Sequence, residues 1–221
     1  EQINISAEVA FIWQSAETLR DTYKKHQYQD IILPLVVLRR IESVLLEKRE
    51  EVEEKNKSGL SKLGESERKK IISTQVISST GFDNKSKFTF KLLASEKDTA
   101  IKDNFKSYIN GFTENIRIIL DKFGLLKELN KLEEDKLLYP IIKQYSELDL
   151  SPKLISNNKM GYIFEELVRR FSEQTGEEAG AHFTPREIIE LMVEILIDGV
   201  KIKDGEIKTI YDPACGTNGM L

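Results

Sequence analysis

Apolar positions recur at helical spacing through most of the chain, and polar stretches break the pattern at a few points. After Ser6, which reads as a helix cap, come Val9, Phe11, Ile12, Trp13 and Ala16. Tyr28, Ile31, Ile32, Leu35, Val36, Leu38, Ile41, Val44 and Leu45 continue the same stripe, so the span from about Ser6 to Glu54 is expected to be helical. Pro34 lies inside this run and either opens a new helix or kinks one. These side chains read as the core of a helical bundle, Trp13 included. From Lys48 to Lys70 basic and acidic residues alternate around Ser58-Gly59 and Gly64, the mark of a solvated helix end and a loop. Ser78-Ser79-Thr80-Gly81 is a second break. Lys85-Ser86-Lys87-Phe88-Thr89-Phe90-Lys91 reads as a short strand or extended segment with solvated lysines, with phosphate contacts as the other use of such a pattern.

Helical spacing returns from Asp98 to Tyr145. Ile101, Phe105, Tyr108, Ile109 and Phe112 form one set, Ile116, Ile119, Leu120 and Phe123 a second, and Leu137, Leu138, Ile141, Ile142 and Tyr145 a third. Gly111, Gly124 and Pro140 mark ends or kinks. Leu148 to Asn158 reads as a linker, dividing the chain into residues 1–150 and 151–221. Beyond it Met160, Ile163, Phe164, Leu167, Val168 and Phe171 make one apolar helix stripe, with Glu165, Glu166, Arg169 and Arg170 as charge pairs on other faces. Thr184-Pro185-Arg186-Glu187 is a helix start: Thr184 can cap, proline suits the first helical position and Glu187 can close a capping box. Ile188, Ile189, Leu191, Met192, Ile195 and Leu196 form its apolar face, and Gly199 ends it.

The last segment is of a different kind. Ile207-Lys208-Thr209-Ile210-Tyr211 is β-branched and aromatic, so it predicts a strand, which Asp212-Pro213 closes. Gly216 and Gly219 then allow a sharp turn and a close approach of the backbone to a ligand, and Met220-Leu221 would open a helix. The turn is neither G-x-G-x-x-G nor a P-loop. An acidic residue ending a strand before a helix N-terminus suits a ligand with an amino-acid end, such as the methionine part of S-adenosylmethionine. On spacing alone, an Asp-Pro turn with a buried Cys215 fits equally well. Ile207, Ile210, Tyr211, Met220 and Leu221 are apolar, and this tail is expected to be covered by the helix from Pro185 to Asp198, by another chain or by later residues.

Composition narrows the classes. The 221 residues are 32% charged and 40% hydrophobic, a soluble globular profile, and no apolar run is long enough to span a bilayer. With no export signal and a single cysteine, the chain reads as cytoplasmic. His26, His182 and Cys215 are too few and too scattered for zinc, so no metal is expected. A net charge of −4 means that any contact with DNA must come from a local basic face.

Asp212-Pro213-Ala214-Cys215-Gly216-Thr217-Asn218-Gly219-Met220-Leu221 resembles the first S-adenosylmethionine motif of the modification subunit of type I restriction-modification systems. Gly161 to Phe171 and Glu177 to Glu187 resemble two further stretches of that family in the same order, and Tyr28 to Leu35 carries a weaker similarity. Asn218 departs from the family's usual small residue, although asparagine tolerates a left-handed backbone. The resemblance implies a mostly α fold: a helical N-terminal domain followed by the opening helix-strand-glycine turn of an α/β Rossmann-like methyltransferase domain. It implies methylation of adenine N6 in DNA with S-adenosylmethionine, and assembly with a specificity subunit and a restriction subunit. Ala181, His182, Phe183, Thr184, Pro185, Arg186, Asp212, Gly216, Thr217, Asn218 and Gly219 are the cofactor-binding residues it implies.

Adenine-N6 methyltransferases of this class carry Asn/Asp-Pro-Pro-Phe/Tyr, which holds the target amine and stacks on the flipped base. The sequence contains no Pro-Pro, so no catalytic residue is expected in it. The chain reads as the N-terminal part of such a subunit, inactive alone. A helical module that only docks DNA or partner subunits is the alternative.

Overall fold

α2 (Gln29–Lys55) is apolar from Ile31 to Leu38 and almost wholly charged from Glu47 onward, and several helices pack along it. The computed structural model describes residues 4–61, 63–95, 100–175, 184, 186–200 and 209–213. The contacts divide it into two units, residues 1–167 and 168–221.

In the first unit, α2 buries Ile31, Ile32, Leu35, Val36, Leu38, Leu45 and Val52. Against it pack α1 (Ser6–Leu19), α4 (Glu65–Thr80), α7 (Glu114–Phe123), α8 (Leu125–Glu134) and α9 (Leu138–Glu147). A single 3-10 turn (Lys25–Gln27) joins α1 to α2, and α3 (Lys57–Leu60) is one turn long. α5 (Phe90–Ser95) and α6 (Ile101–Asn110) close the other side, with α5 lying on α9. Where they meet, Phe90, Phe105, Tyr108 and Tyr145 are each at most 1% exposed. The ring of Phe90 meets those of Phe105, Tyr108 and Tyr145 at centroid distances of 6.1, 5.8 and 6.3 Å.

Several expectations change in detail. Ser6 does not cap α1. It is the first helical residue, and the Asn4 side chain, two positions back, accepts its N–H at 3.1 Å. Pro34 does not start a new helix; it falls in the second turn of α2, which continues through it. Helix α4 has no counterpart in the sequence reading. Its pattern is weak because only Ile72 and Val76 are buried, while Ile71 and Ile77 stay exposed. Trp13 is half-buried.

Gly81 ends α4 in the left-handed conformation at φ 79°, and Gly124 turns α7 into α8 at φ 74°. The segment of residues 83–89 is neither helix nor strand and bends at Lys87, with Lys85 and Lys87 exposed and Phe88 buried. It forms one isolated antiparallel bridge, Asn84 to Phe112. The bonds are Lys85 N–H to Gly111 O at 2.8 Å and Thr113 N–H to Asp83 O at 2.9 Å. Gly111 is required here for contact, not for its φ. A Cβ would stand 2.3 Å from Asn84 Oδ1 and 2.7 Å from both Cβ and N of Ser86. Gly111→Ala should therefore cost about 1–3 kcal/mol, as overpacking does. Gly59, with nothing within 4 Å of an added Cβ, serves as the control. Equal urea midpoints for the two alanine variants would refute this.

In the second unit α10 (Asn157–Thr175), which begins in the first, carries Phe171 at 2% exposure. α11 (Arg186–Ile197) ends at Gly199, φ 76°, where Val200 N–H reaches Ile197 O at 3.0 Å. Its apolar face is open: Leu191, Ile195 and Leu196 are 56%, 66% and 67% exposed.

Residues 209–211 are not in a strand, and there is no strand among the described residues. A strand exists only through a partner's hydrogen bonds, and no described segment pairs with this one. Ile210 and Tyr211 are 71% and 86% exposed, so the expected covering of these two side chains by α11 is not met. Ile207, Met220 and Leu221 lie outside the described residues.

Candidate functional site

α2 carries charge where its periodicity calls for apolar residues. Arg39 is four positions after Leu35, and Glu42 is four after Leu38. Arg39, Arg40 and Glu42 are 5%, 9% and 4% exposed. Arg39 Nη1 donates to Glu42 Oε1 at 2.7 Å, and Arg39 Nε donates to Leu148 O at 2.7 Å. Both Glu42 oxygens accept the N–H of Phe90, at 3.2 and 3.0 Å, so this carboxylate caps α5 from another helix. Burial pushes the Glu42 carboxyl above its ordinary range, against the pull of Tyr108, Arg39 and the Phe90 N–H. Burial also drives the Tyr108 phenol upward, with Glu42 adding to it, and the hydroxyl sits outside hydrogen-bonding geometry. A second cluster joins α2 to the segment of residues 83–89. Arg49 Nη2 donates to Asp83 Oδ1 at 2.6 Å and to Asn84 O at 2.5 Å, and Ser73 Oγ donates to Asp83 Oδ2 at 2.6 Å.

These groups were missed from sequence, although a charge on a buried stripe is the signal that finds them. They bond to one another and to the main chain. The cavity between Glu42, Arg49, Asn84 and Tyr108 holds about 10 Å³, enough for one water molecule. A cleft of about 460 Å³ opens beside them, lined among others by Glu47, Glu50, Lys91, Asp149 and Lys153. It mixes both signs of charge. Among the described residues no group of three or more metal-ligating side chains converges.

Of the residues that the resemblance implies for the cofactor, Thr184 is exposed and non-helical, and α11 begins two residues later at Arg186. Asp212 is half-buried and has an interaction partner, and Pro213 is exposed in a turn. Ala181, His182, Phe183, Pro185, Gly216, Thr217, Asn218 and Gly219 lie outside the described residues, as does the Arg186 side chain.

Comparison with known proteins decides the family. Residues 9–144 match the HsdM N-terminal domain, more than half of the chain. The chain belongs to this family. Residues 155–221 match N-6 DNA Methylase. The chain is 24% identical over 223 residues to the type I restriction enzyme MjaIX methylase subunit of Methanocaldococcus jannaschii, covering 95% of this chain and 38% of that one. It is 34% identical over 108 residues to the EcoEI methylase subunit of Escherichia coli, covering 49% and 20%. A third relative, the HindI methylase subunit of Haemophilus influenzae, is 33% identical over 62 residues, covering 28% and 12%. The chain thus spans well under half the length of these relatives. No solved structure matches it. The resemblance to the modification subunit of type I restriction-modification systems is confirmed by these matches, and no described helix is long and apolar enough to cross a membrane.

Proposed function

We propose that this chain supplies the helical domain and the first cofactor loop of a subunit that methylates adenine N6 in DNA. Residues 1–150 form the helical domain, and residues 151–221 open a Rossmann-like methyltransferase domain. The reading is carried by the match of residues 155–221 to N-6 DNA Methylase. S-adenosylmethionine supplies the electrophilic methyl group when bound. Ala181 to Arg186 and Asp212, Gly216, Thr217, Asn218 and Gly219 hold it. Asp212 takes the ammonium, the turn's main chain and the start of α11 take the carboxylate, and Gly216 and Gly219 leave room for the ligand. The subunit works with a specificity subunit that reads the DNA and a restriction subunit that cleaves it.

The test is Gly216→Val in the intact subunit, titrated calorimetrically with S-adenosylmethionine. A β-branched side chain at a point of close backbone approach should abolish binding, and unchanged affinity would refute this pocket. With no Asn/Asp-Pro-Pro-Phe/Tyr in its sequence, this chain supplied with the specificity subunit should place no labelled methyl group in DNA. Label in adenine above background would overturn that.

A further inference from the structure

Residues 148–157 have a linker's composition, with Ser151-Pro152 and Asn157. Their environment is not that of a linker. Leu148, Leu150 and Ile155 are 6%, 0% and 3% exposed, so the segment buries an apolar side chain at three points. The carbonyls of the same three residues are also bound. Arg39 Nε donates to Leu148 O, while Arg40 Nη1 donates to Leu150 O at 2.5 Å and to Ile155 O at 2.8 Å. Arg40 Nη2 reaches Asn157 Oδ1, the first residue of α10, at 2.8 Å. Lys153 N–H is taken by Glu47 of α2, and Lys159 on α10 pairs with Glu8 of α1 at 2.7 Å. Ile163 and Leu167, one and two turns further along α10, are fully buried.

We infer that this segment is a rigid joint, and that Arg40 is the positioning residue that fixes the start of α10 to α2. The inference stands apart from the cofactor reading, since every contact lies within the helical unit. One planar guanidinium spans three acceptors that come from three different residues. Lysine has a single point charge and cannot hold the same fork. A buried Arg40 that lost one of these oxygens would leave a donor unsatisfied, so the acceptors are held together or released together.

The experiment is amide hydrogen exchange on the intact protein. The amides to follow are Leu154 and Ile155, which donate to Ser151 O at 3.1 and 2.8 Å, and Met160, which donates to Ser156 O at 2.9 Å. In the wild type these should be protected to within about tenfold of the amides in α9. Arg40→Lys should speed their exchange at least about tenfold while the amides of α4 keep their rates. Wild-type exchange of Leu154, Ile155 and Met160 at the rate of an unstructured chain would overturn the rigid joint. An equal loss of protection in α4 and α9 would overturn the local role of Arg40. If Arg40→Lys does not fold, Asn157→Ala removes one acceptor only. It should speed exchange at Met160 and spare α4; failure to do so would likewise overturn the inference.

Discussion

Glu42→Ala should cost about 3–5 kcal/mol, because it breaks a buried ion pair from one side only. The Arg39 guanidinium has 6% of its side chain exposed and would lose its carboxylate. The Phe90 N–H would lose the acceptor that caps α5. Urea denaturation followed by circular dichroism reads the effect directly, and a loss below about 1 kcal/mol would show the pair to be dispensable. Removing both charges is a different experiment. In Arg39→Met with Glu42→Leu neither partner of the pair is left as a buried unpaired charge, so much of the loss should be recovered, less the cost of the freed Leu148 carbonyl and Phe90 N–H. The pH dependence has a definite sign. Burial holds the Glu42 carboxyl above its unfolded value, so the folded protein binds this proton more tightly. Its contribution is full below the unfolded pKa and is lost as pH rises through the folded one. Glu42→Gln should remove that slope from the stability profile.

Phe90→Ala should cost about 3–5 kcal/mol, the usual range for a large aromatic removed from a packed core. Phe90 is 0% exposed, and its ring is shared between α6 and α9 as well as the guanidinium of Arg39, 5.9 Å from the centroid. α5 has six residues, too few to stand without tertiary contacts, so its helicity should be lost with the ring. Phe88→Ala is the comparison. That residue is 8% exposed and its ring faces Lys87 at the surface, so the loss should be smaller. Equal losses for the two would contradict the placement of Phe90 at the centre of the core.

Much of the helical unit was legible because its buried positions repeat at helical spacing. Ile101, Phe105, Tyr108 and Ile109 on α6, and Ile141, Ile142 and Tyr145 on α9, are buried as the spacing demands. The helix breaks at Gly81, Gly124 and Gly199 were legible because each lies in the left-handed region that glycine enters freely. α4 was not, because a helix with only two buried side chains carries no strong period. The charged core was not, because pattern reading assigns Arg39, Arg40 and Glu42 to solvent. The segment from Asp212 was legible as a family motif, within the match of residues 155–221. At Ile210 and Tyr211 the β-branched and aromatic signal overrode the need for a partner strand.

The manner in which Arg40 binds has a consequence for how this protein can change over generations. Two of its three acceptors are main-chain oxygens, which every amino acid supplies. Leu150 and Ile155 can therefore drift among apolar residues of similar volume without disturbing the arginine. Only Asn157 offers a side-chain oxygen, so substitutions there are the ones the fork would register. Among homologues, position 40 should resist change more firmly than the positions it holds.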